Sequence, residues 1–219
     1  MLLRREFLVP EHSERIAEAL RALGADVVPA EARAASLQAT LDRVAEGSDV
    51  WVFGYGSLMW NPAIHHAETR AARAGGWHRS FCVWNSFGRG STENPGLTLA
   101  LEPGGSCAGV ALRIEASKVE SELGVLWNRE MITGAYVPRW LRLRTDEGEV
   151  EAVAFVANRT SRRYAGRLPL PELAERMARA SGPLGTSREY LESTVAELER
   201  LGARDSSMHA LLRAVRTFG

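Results

Sequence analysis

The sequence predicts an α+β domain: an antiparallel, barrel-like sheet with helices before, within and after it. Three observations support this prediction. Short runs of β-forming residues lie between about residues 50 and 156, and apolar residues repeat at helical spacing on both sides of that stretch. Turn signals such as Asp146-Glu147-Gly148 separate the runs, as in hairpins. We therefore predict a helical extension over residues 1–48 and a main domain over residues 49–219.

The extension is predicted to hold two helices, over residues 11–23 and about 30–45. The apolar residues expected to face inward are Ile16, Ala19, Leu20 and Leu23 in the first helix, and Leu37, Leu41 and Val44 in the second. Gly24 and Gly47 are suited to end these helices. Since no cluster of reactive side chains lies here, we expect the extension to pack on the main domain without a catalytic role.

Six strands are predicted, and the first is an apolar run that ends at Gly54. They span residues 50–53, 76–84, 97–101, 107–114, 140–144 and 150–156. The glycine- and proline-containing segments 94–96 and 103–105 are predicted to be turns between them.

Four helices are predicted within and after the sheet. The first covers residues 115–131, with Val119, Leu123 and Leu126 on one apolar stripe. The other three cover residues 171–180, 187–201 and 206–215, and the first of these begins with a proline.

The composition excludes several classes of protein. The 27 basic and 27 acidic residues cancel, which argues against nucleic acid as the main partner. No stretch approaches the roughly 20 apolar residues of a membrane span, and Met1–Glu6 do not begin a secretory signal. Two cysteines are too few for a disulfide scaffold, so a soluble protein of the cytoplasm is expected, with no obligatory protein partner.

The Gly54–Leu58 segment directly follows the first strand. Glycines on both sides of Tyr55 let the backbone turn sharply and bring its amide groups close to a ligand. Such a turn can hold an anion or a developing oxyanion. A tight turn without a ligand would have the same sequence, and this alternative stays open.

Glu130 is the candidate acid–base residue. Trp127 and Met131 flank it, and a carboxylate in an apolar pocket has a raised pKa and can act as a general base near neutral pH. The alternative is an exposed glutamate at a helix end, paired with Arg129 or Arg139.

Other reactive side chains lack a recognisable pattern. His65 and His66 are adjacent and have no partner at metal-binding spacing, so no metal site is predicted. Cys82 and Cys107 are expected in the core, and Ser57 does not lie in a nucleophile-elbow sequence.

Several motifs resemble the ChaC family, the glutathione-specific γ-glutamylcyclotransferases, and its bacterial branch in particular. They are WVFGYGSLMWNP at 51–62, GWHR at 76–79, RGS at 89–91, NPG at 94–96, GVA at 109–111, LWNREM at 126–131, GAYVP at 134–138, SGPLGT at 181–186 and EYL at 189–191. The resemblance covers about residues 51–201. It departs from the family mildly, with Ser91 where many members have threonine and Leu112 where many have tyrosine.

This resemblance implies a small γ-glutamylcyclotransferase-like β-barrel with flanking helices. It also implies cleavage of glutathione to 5-oxoproline and cysteinylglycine without a metal or organic cofactor. Glu130 matches the family's catalytic glutamate. The residues expected to bind substrate are Phe53, Gly54, Tyr55, Gly56, Ser57, Leu58 and Tyr190, with Arg89 as a candidate for a substrate carboxylate. Action on another γ-glutamyl amine and a non-catalytic regulatory role stay open.

Overall fold

The computed structural model describes residues 5–218. The domain prediction includes residues 1–4 and 219, which lie outside the described residues. The helices are α1 (Arg5–Leu8), α2 (Ser13–Ala22), α3 (Ala30–Leu41), α4 (Val119–Leu126), α5 (Leu170–Arg179), α6 (Ser187–Arg200) and α7 (Ser206–Arg216). The strands are β1 (Val50–Gly54), β2 (Glu68–Asn85), β3 (Gly96–Ile114), β4 (Tyr136–Thr145) and β5 (Gly148–Ala157), with the two-residue strands β6 (Ser181–Gly182) and β7 (Gly185–Thr186).

Five strands close into a barrel in the order β1-β3-β2-β4-β5. The neighbours along this order are antiparallel, and β5 returns to β1 in parallel, where Trp51 lies opposite Ala152. The α+β class and the barrel are therefore confirmed. The two-residue turn Asp146–Glu147 joins β4 and β5, as predicted.

The predicted turn at residues 103–105 is wrong, because β3 runs through it as one strand. Pro103 pairs with Trp77, and a bulge lies beside this pair between Gly75 and Trp77. Gly76, Gly104 and Gly105 all have positive φ. These glycines therefore bend a long β2–β3 hairpin around the barrel, and a bulge is a position where a strand tolerates proline.

Residues 68–75 of β2 were not predicted as a strand. They contain alanines, arginines and one glycine, which have low or moderate strand propensity. They are a strand because Ala72–Ala74 pair with β3 on one side and β4 on the other. Tertiary pairing therefore outweighs local preference here.

The N-terminal helices differ from the prediction in their buried faces. Ile16 and Leu20 are buried as expected, but Leu23 is exposed and Ala17 is buried in place of Ala19. Of the three apolar residues predicted for the second helix, Leu37 and Leu41 lie in α3 and Val44 lies beyond its end, and all three are only partly buried against the core. The predicted apolar stripe of α4 is buried, and the three C-terminal helices match their predicted bounds within about a residue.

The predicted helix over residues 115–131 consists of three successive helical segments of different geometry. A 3₁₀ turn at Ala116–Lys118 leads into α4, and a π turn covers Trp127–Met131. Single π turns inside helices often occur at functional sites. This one contains Glu130 and Arg129.

The end of β1 packs tightly against β3, which yields a stability prediction. A Cβ atom at Gly109 would lie 2.2 Å from the Gly54 carbonyl oxygen and 2.9 Å from the Phe53 ring. Gly109→Ala must therefore shift backbone, and we expect it to lower the free energy of unfolding by about 1–3 kcal/mol or more. Urea denaturation measures the change.

Gly75→Ala is the matched control in the same sheet, since a Cβ there would meet nothing within 4 Å. We expect its effect to stay within about 0.5 kcal/mol. Equal stability of the two variants would contradict the packing argument.

Candidate active site

The loop after β1 is shaped by two close approaches. The chain leaves β1 at Gly54 and makes a 3₁₀ turn over Ser57–Met59. A Cβ at Gly56 would lie 2.8 Å from the Tyr190 hydroxyl oxygen, and one at Gly54 would lie 3.2 Å from Leu58. Glycine is needed at position 56 because Tyr190 of α6 lies against the backbone there.

Arg79 of β2 holds the start of this loop through its buried guanidinium. Its guanidinium donates to the carbonyl oxygens of Tyr55 and Ala108, and its side chain is only 1% exposed. Its Nε lies 2.9 Å from Asp205 Oδ2, and Asp205 Oδ1 accepts a hydrogen bond from the Met208 amide at the start of α7. A buried ion pair therefore ties the loop to the barrel and to α7.

Glu130 faces the loop and is joined to it by Arg129. Arg129 Nε lies 2.8 Å from Glu130 Oε1, and another guanidinium nitrogen donates to Ser57 Oγ at 2.8 Å. The same guanidinium donates to the carbonyl oxygen of Asn61. The Arg129 and Glu130 side chains are 2% and 14% exposed. The predicted pairing with Arg129 is thus real, but it occurs in a largely buried site instead of at an exposed helix end.

Two opposing effects act on the Glu130 carboxyl. Burial raises its pKa above the ordinary 4.5, because the charged form loses hydration. The positive charge and the hydrogen bond of Arg129 lower the pKa, but by less than burial raises it. The result is a carboxylate that is a stronger base than an exposed glutamate.

Three tyrosines surround the carboxylate. The hydroxyl of Tyr55 donates to the Phe155 carbonyl, and that of Tyr136 donates to the Leu99 carbonyl at 3.0 Å. Burial and the charge of Glu130 raise the pKa of both and of Tyr190, whose rise is opposed by hydrogen bonds with Ser57. All three hydroxyls therefore stay protonated at neutral pH.

An inner recess of about 20 Å³ lies where the loop meets Glu130. Its lining includes Tyr55, Gly56, Ser57, Leu58, Glu130, Tyr136 and Tyr190. This volume holds about one water-sized group. The recess therefore has loop backbone, the Glu130 carboxylate and neutral hydroxyls around a space that fits one small polar group.

The recess adjoins an outer cleft of about 170 Å³, with which it shares four lining residues. The shared residues are Ser57, Glu130, Tyr136 and Tyr190. Arg89 lines the outer cleft, where its guanidinium lies 5.3 Å from the centre of the Tyr190 ring and donates to the Thr186 carbonyl at 3.0 Å. The pKa of Arg89 is lowered by burial.

The predicted site residues thus fall into two groups. Those from Tyr55 to Leu58, with Arg89, Glu130 and Tyr190, line one or both of these adjacent cavities. Phe53 and Gly54 line neither; Phe53 is fully buried, with its ring 5.9 Å from that of Tyr55. These two residues lie behind the loop and support it.

Sequence reasoning missed part of the cleft wall. Leu8, Ile16 and Leu20 of the N-terminal extension line the outer cleft together with Glu130. The extension is attached here because Asn128, two residues from Glu130, donates to the carbonyl oxygens of Leu8 and Val9. Amphipathic spacing predicted inward packing of the helix that contains Ile16 and Leu20, but it predicted neither the short helix α1 with Leu8 nor a position beside the cleft.

The sequence also gave no separate role to Arg129, Tyr136 and Arg163, all of which line the cleft. Arg129 and Tyr136 belong to motifs quoted above, so their position beside Glu130 had a signal. Arg163 follows β5 in an irregular segment and had none.

No group of three or more His, Cys, Asp or Glu residues between 5 and 218 is arranged to hold a metal ion. His65 instead contacts Glu122, which is also bound by Arg5. Cys82 and Cys107 are buried, and burial raises their thiol pKa values to about 12 and about 11. None of the described helices is long and apolar enough to cross a lipid bilayer.

Comparison with known proteins gives consistent matches. A family model described as ChaC-like protein matches residues 50–218. The glutathione-specific γ-glutamylcyclotransferase of Escherichia coli K12 is 45% identical over 188 residues, which cover 85% of this chain and 81% of the relative. The human glutathione-specific γ-glutamylcyclotransferase 1 is 30% identical over 175 residues, which cover 77% and 79%.

A solved structure shares the fold. The crystal structure of a selenomethionine-labelled yeast γ-glutamylcyclotransferase specific to glutathione matches with a TM-score of 0.73 at 20% identity. The match covers 78% of this chain and 97% of the yeast chain. The barrel fold expected from the motif resemblance is therefore confirmed.

The electrostatics of Glu130 yield a second prediction. Arg129→Met removes the charge and the hydrogen bond that lower the carboxyl pKa, so this pKa should rise further above 4.5. An NMR titration of the Glu130 carboxyl measures it. Arg139→Met, at an exposed arginine of β4, is the control and should leave the value unchanged. A Glu130 pKa that falls or stays constant in Arg129→Met would contradict the assigned balance.

Proposed function

The chain belongs to the ChaC-like protein family, and on that premise we propose that it is a glutathione-specific γ-glutamylcyclotransferase with Glu130 as general base and acid. The identity of 45% to the Escherichia coli enzyme supports the substrate and the reaction. The observation that carries the residue assignment is the shared recess, in which Glu130 faces the Tyr55–Leu58 loop and Arg129 binds both.

The substrate supplies its own nucleophile. The α-amine of the γ-glutamyl group attacks the γ-amide carbonyl carbon of the same molecule, and a new carbon–nitrogen bond closes the five-membered ring of 5-oxoproline. The bond from that carbon to the cysteine nitrogen breaks, and cysteinylglycine leaves. Because attack is intramolecular, the enzyme's main task is to hold the reactive conformer, which can contribute up to about 7–11 kcal/mol. This route requires no metal or organic cofactor.

Proton transfer is the second task. An α-amine has a pKa near 8 and arrives mostly as an ammonium, which cannot attack. Glu130 accepts a proton to free the amine and then returns it to the departing cysteine nitrogen. The attacking nitrogen loses two hydrogens in all, and both end on cysteinylglycine, which leaves as an ammonium. A raised pKa of the Glu130 carboxyl suits this proton exchange, because it reduces the difference between this pKa and the pKa of the substrate amine.

The loop and the arginines bind the negative groups. We assign the backbone amides of the Tyr55–Leu58 loop to a substrate carboxylate or to the tetrahedral oxyanion, since both are anions that such amides can hold. Phe53 and Gly54 support this loop, and Tyr190 limits the recess beside Gly56. Arg89 is assigned to a substrate carboxylate, which its fork of donors fits. We further propose that the enzyme works in the cytoplasm without an obligatory protein partner.

The decisive variant is Glu130→Gln, which keeps the shape of the side chain and removes the base. We expect 5-oxoproline release from glutathione to fall by about 10²–10⁴-fold, the usual contribution of a positioned acid–base residue. Chromatography of 5-oxoproline and cysteinylglycine measures the loss, and circular dichroism verifies folding.

Glu120→Gln, at an exposed glutamate of α4, is the matched control and should keep full activity. Undiminished turnover by folded Glu130→Gln would remove Glu130 from the mechanism. Absence of turnover by the unmodified protein would favour a regulatory role for this fold.

Substrate range is tested with glutathione, γ-glutamylcysteine and γ-glutamylalanine at equal concentrations. We expect the highest kcat/KM for glutathione. A higher kcat/KM for either dipeptide would make the protein a cyclotransferase for another γ-glutamyl amine.

A further inference from the structure

The outer cleft contains an excess of positive charge. Among the described residues that line it, one is acidic, Glu130, and three are arginines. Arg129 is paired with Glu130, and Arg89 has a carboxylate oxygen of Glu189 at 4.0 Å, whereas Arg163 makes no ion pair with any residue between 5 and 218. Glutathione carries two carboxylates, one on the γ-glutamyl residue and one on the glycine. The cleft thus offers two further cations to a substrate with two anionic groups.

Arg163 is held by a carbonyl and not by an acid. Its Nε and one terminal nitrogen donate to the Trp84 carbonyl oxygen at 3.0 and 2.6 Å. A guanidinium has five N–H donors, so this contact leaves three. Burial lowers the pKa of Arg163, and only the nearby Tyr136 opposes that effect. Its charge is therefore partly desolvated, and no carboxylate among residues 5–218 neutralises it, an arrangement that an anionic ligand would stabilise.

The segment that carries Arg163 is firmly attached. The Trp84 amide donates to the Arg163 carbonyl at 2.8 Å, which adds the segment to the end of β2. The next residue, Tyr164, donates from its hydroxyl to Glu102 at 2.7 Å, and Arg159 pairs with the same buried carboxylate at 2.8 Å. The guanidinium is therefore positioned before a ligand arrives, which reduces the entropic cost of binding.

The two arginines approach the substrate from different elements. Arg89 lies over Tyr190, whose hydroxyl abuts Gly56 of the loop, so Arg89 is linked to the end of the cleft that holds the γ-glutamyl group. Arg163 is fixed to Trp84 and to the segment after β5. An extended cysteinylglycine unit spans about 7 Å from the reacting carbonyl toward the outer cleft. Its terminal carboxylate is the group left for Arg163.

We propose that Arg163 binds the glycine carboxylate of glutathione and so makes the cleft selective for the tripeptide. This inference rests on the proposed function and names the part of the site that recognises the leaving dipeptide. Arg163 acts on binding and not on proton transfer. Its loss should therefore raise KM and leave kcat nearly unchanged.

The test combines a variant with a modified substrate. Arg163→Gln is assayed with glutathione and with glutathione monoethyl ester, in which the glycine carboxylate is uncharged. We expect Arg163→Gln to raise KM for glutathione by about 10- to 100-fold, as for loss of a charge-assisted hydrogen bond. The ester should show a similarly high KM with the unmodified enzyme, and Arg163→Gln should change that KM by less than about 2-fold. Such coupling identifies a direct contact.

Arg162→Gln is the matched control, since Arg162 is adjacent in the chain, carries the same charge and is 88% exposed. It should leave KM for both substrates unchanged. An equal KM increase for glutathione and its ester in Arg163→Gln would overturn the proposal, as would an Arg162→Gln effect of the same size. If Arg163→Gln does not fold, Arg163→Lys replaces it, and a retained preference of this variant for the charged substrate supports the contact.

Measurements on the unmodified enzyme distinguish a failure of the Arg163 assignment from a failure of the proposed function. Turnover of glutathione with equal KM for the ester would overturn the Arg163 assignment alone. Absence of turnover on glutathione would overturn the proposed function and the Arg163 assignment with it.

Discussion

The candidate site depends on one buried guanidinium, that of Arg129, which contacts both the Glu130 carboxylate and the loop after β1. It pairs with the Glu130 carboxylate and donates to the Ser57 hydroxyl and to the Asn61 carbonyl. Because a guanidinium is planar and rigid, these contacts fix the carboxylate relative to the loop. The π turn at residues 127–131 makes this possible, since it presents two consecutive charged side chains to the same outer cleft. The proposed acid–base residue and the Tyr55–Leu58 loop are therefore held by the same guanidinium.

Polar contacts at the starts of two helices also hold this loop in place. Thr186 and Glu189 form a reciprocal cap at the start of α6, which places Tyr190 in the first turn, directly against Gly56. On the other side of the loop, Arg79 and Asp205 join the Tyr55 carbonyl to the start of α7. A helix start with a fixed cap has little freedom to shift. The loop is therefore held from two directions by helices that enter late in the sequence.

Much of this architecture was predictable because it follows from local patterns. The β1 strand with its glycine ending, the β4–β5 turn, the apolar stripe of α4 and the three C-terminal helices all have short-range causes. The failures have long-range causes. The strand over residues 68–75 forms because two neighbours pair with it, and glycines at 104 and 105 bend a strand that they were expected to end. For the site, motifs indicated Glu130 and the loop, but Arg163 lies in an irregular segment whose position depends on contacts with β2 and Glu102.

The N-terminal extension shows how packing and chemistry are connected in this protein. Its residues Leu8, Ile16 and Leu20 form an apolar wall of the cleft beside Glu130. An apolar wall excludes water from a carboxylate, and this loss of hydration is the effect that raises the Glu130 pKa. Arg129 acts in the opposite direction, so the basicity of the carboxylate results from a balance between the wall and the guanidinium. A segment without a cluster of reactive side chains therefore contributes to the proposed acid–base chemistry, because it controls the hydration of the Glu130 carboxylate.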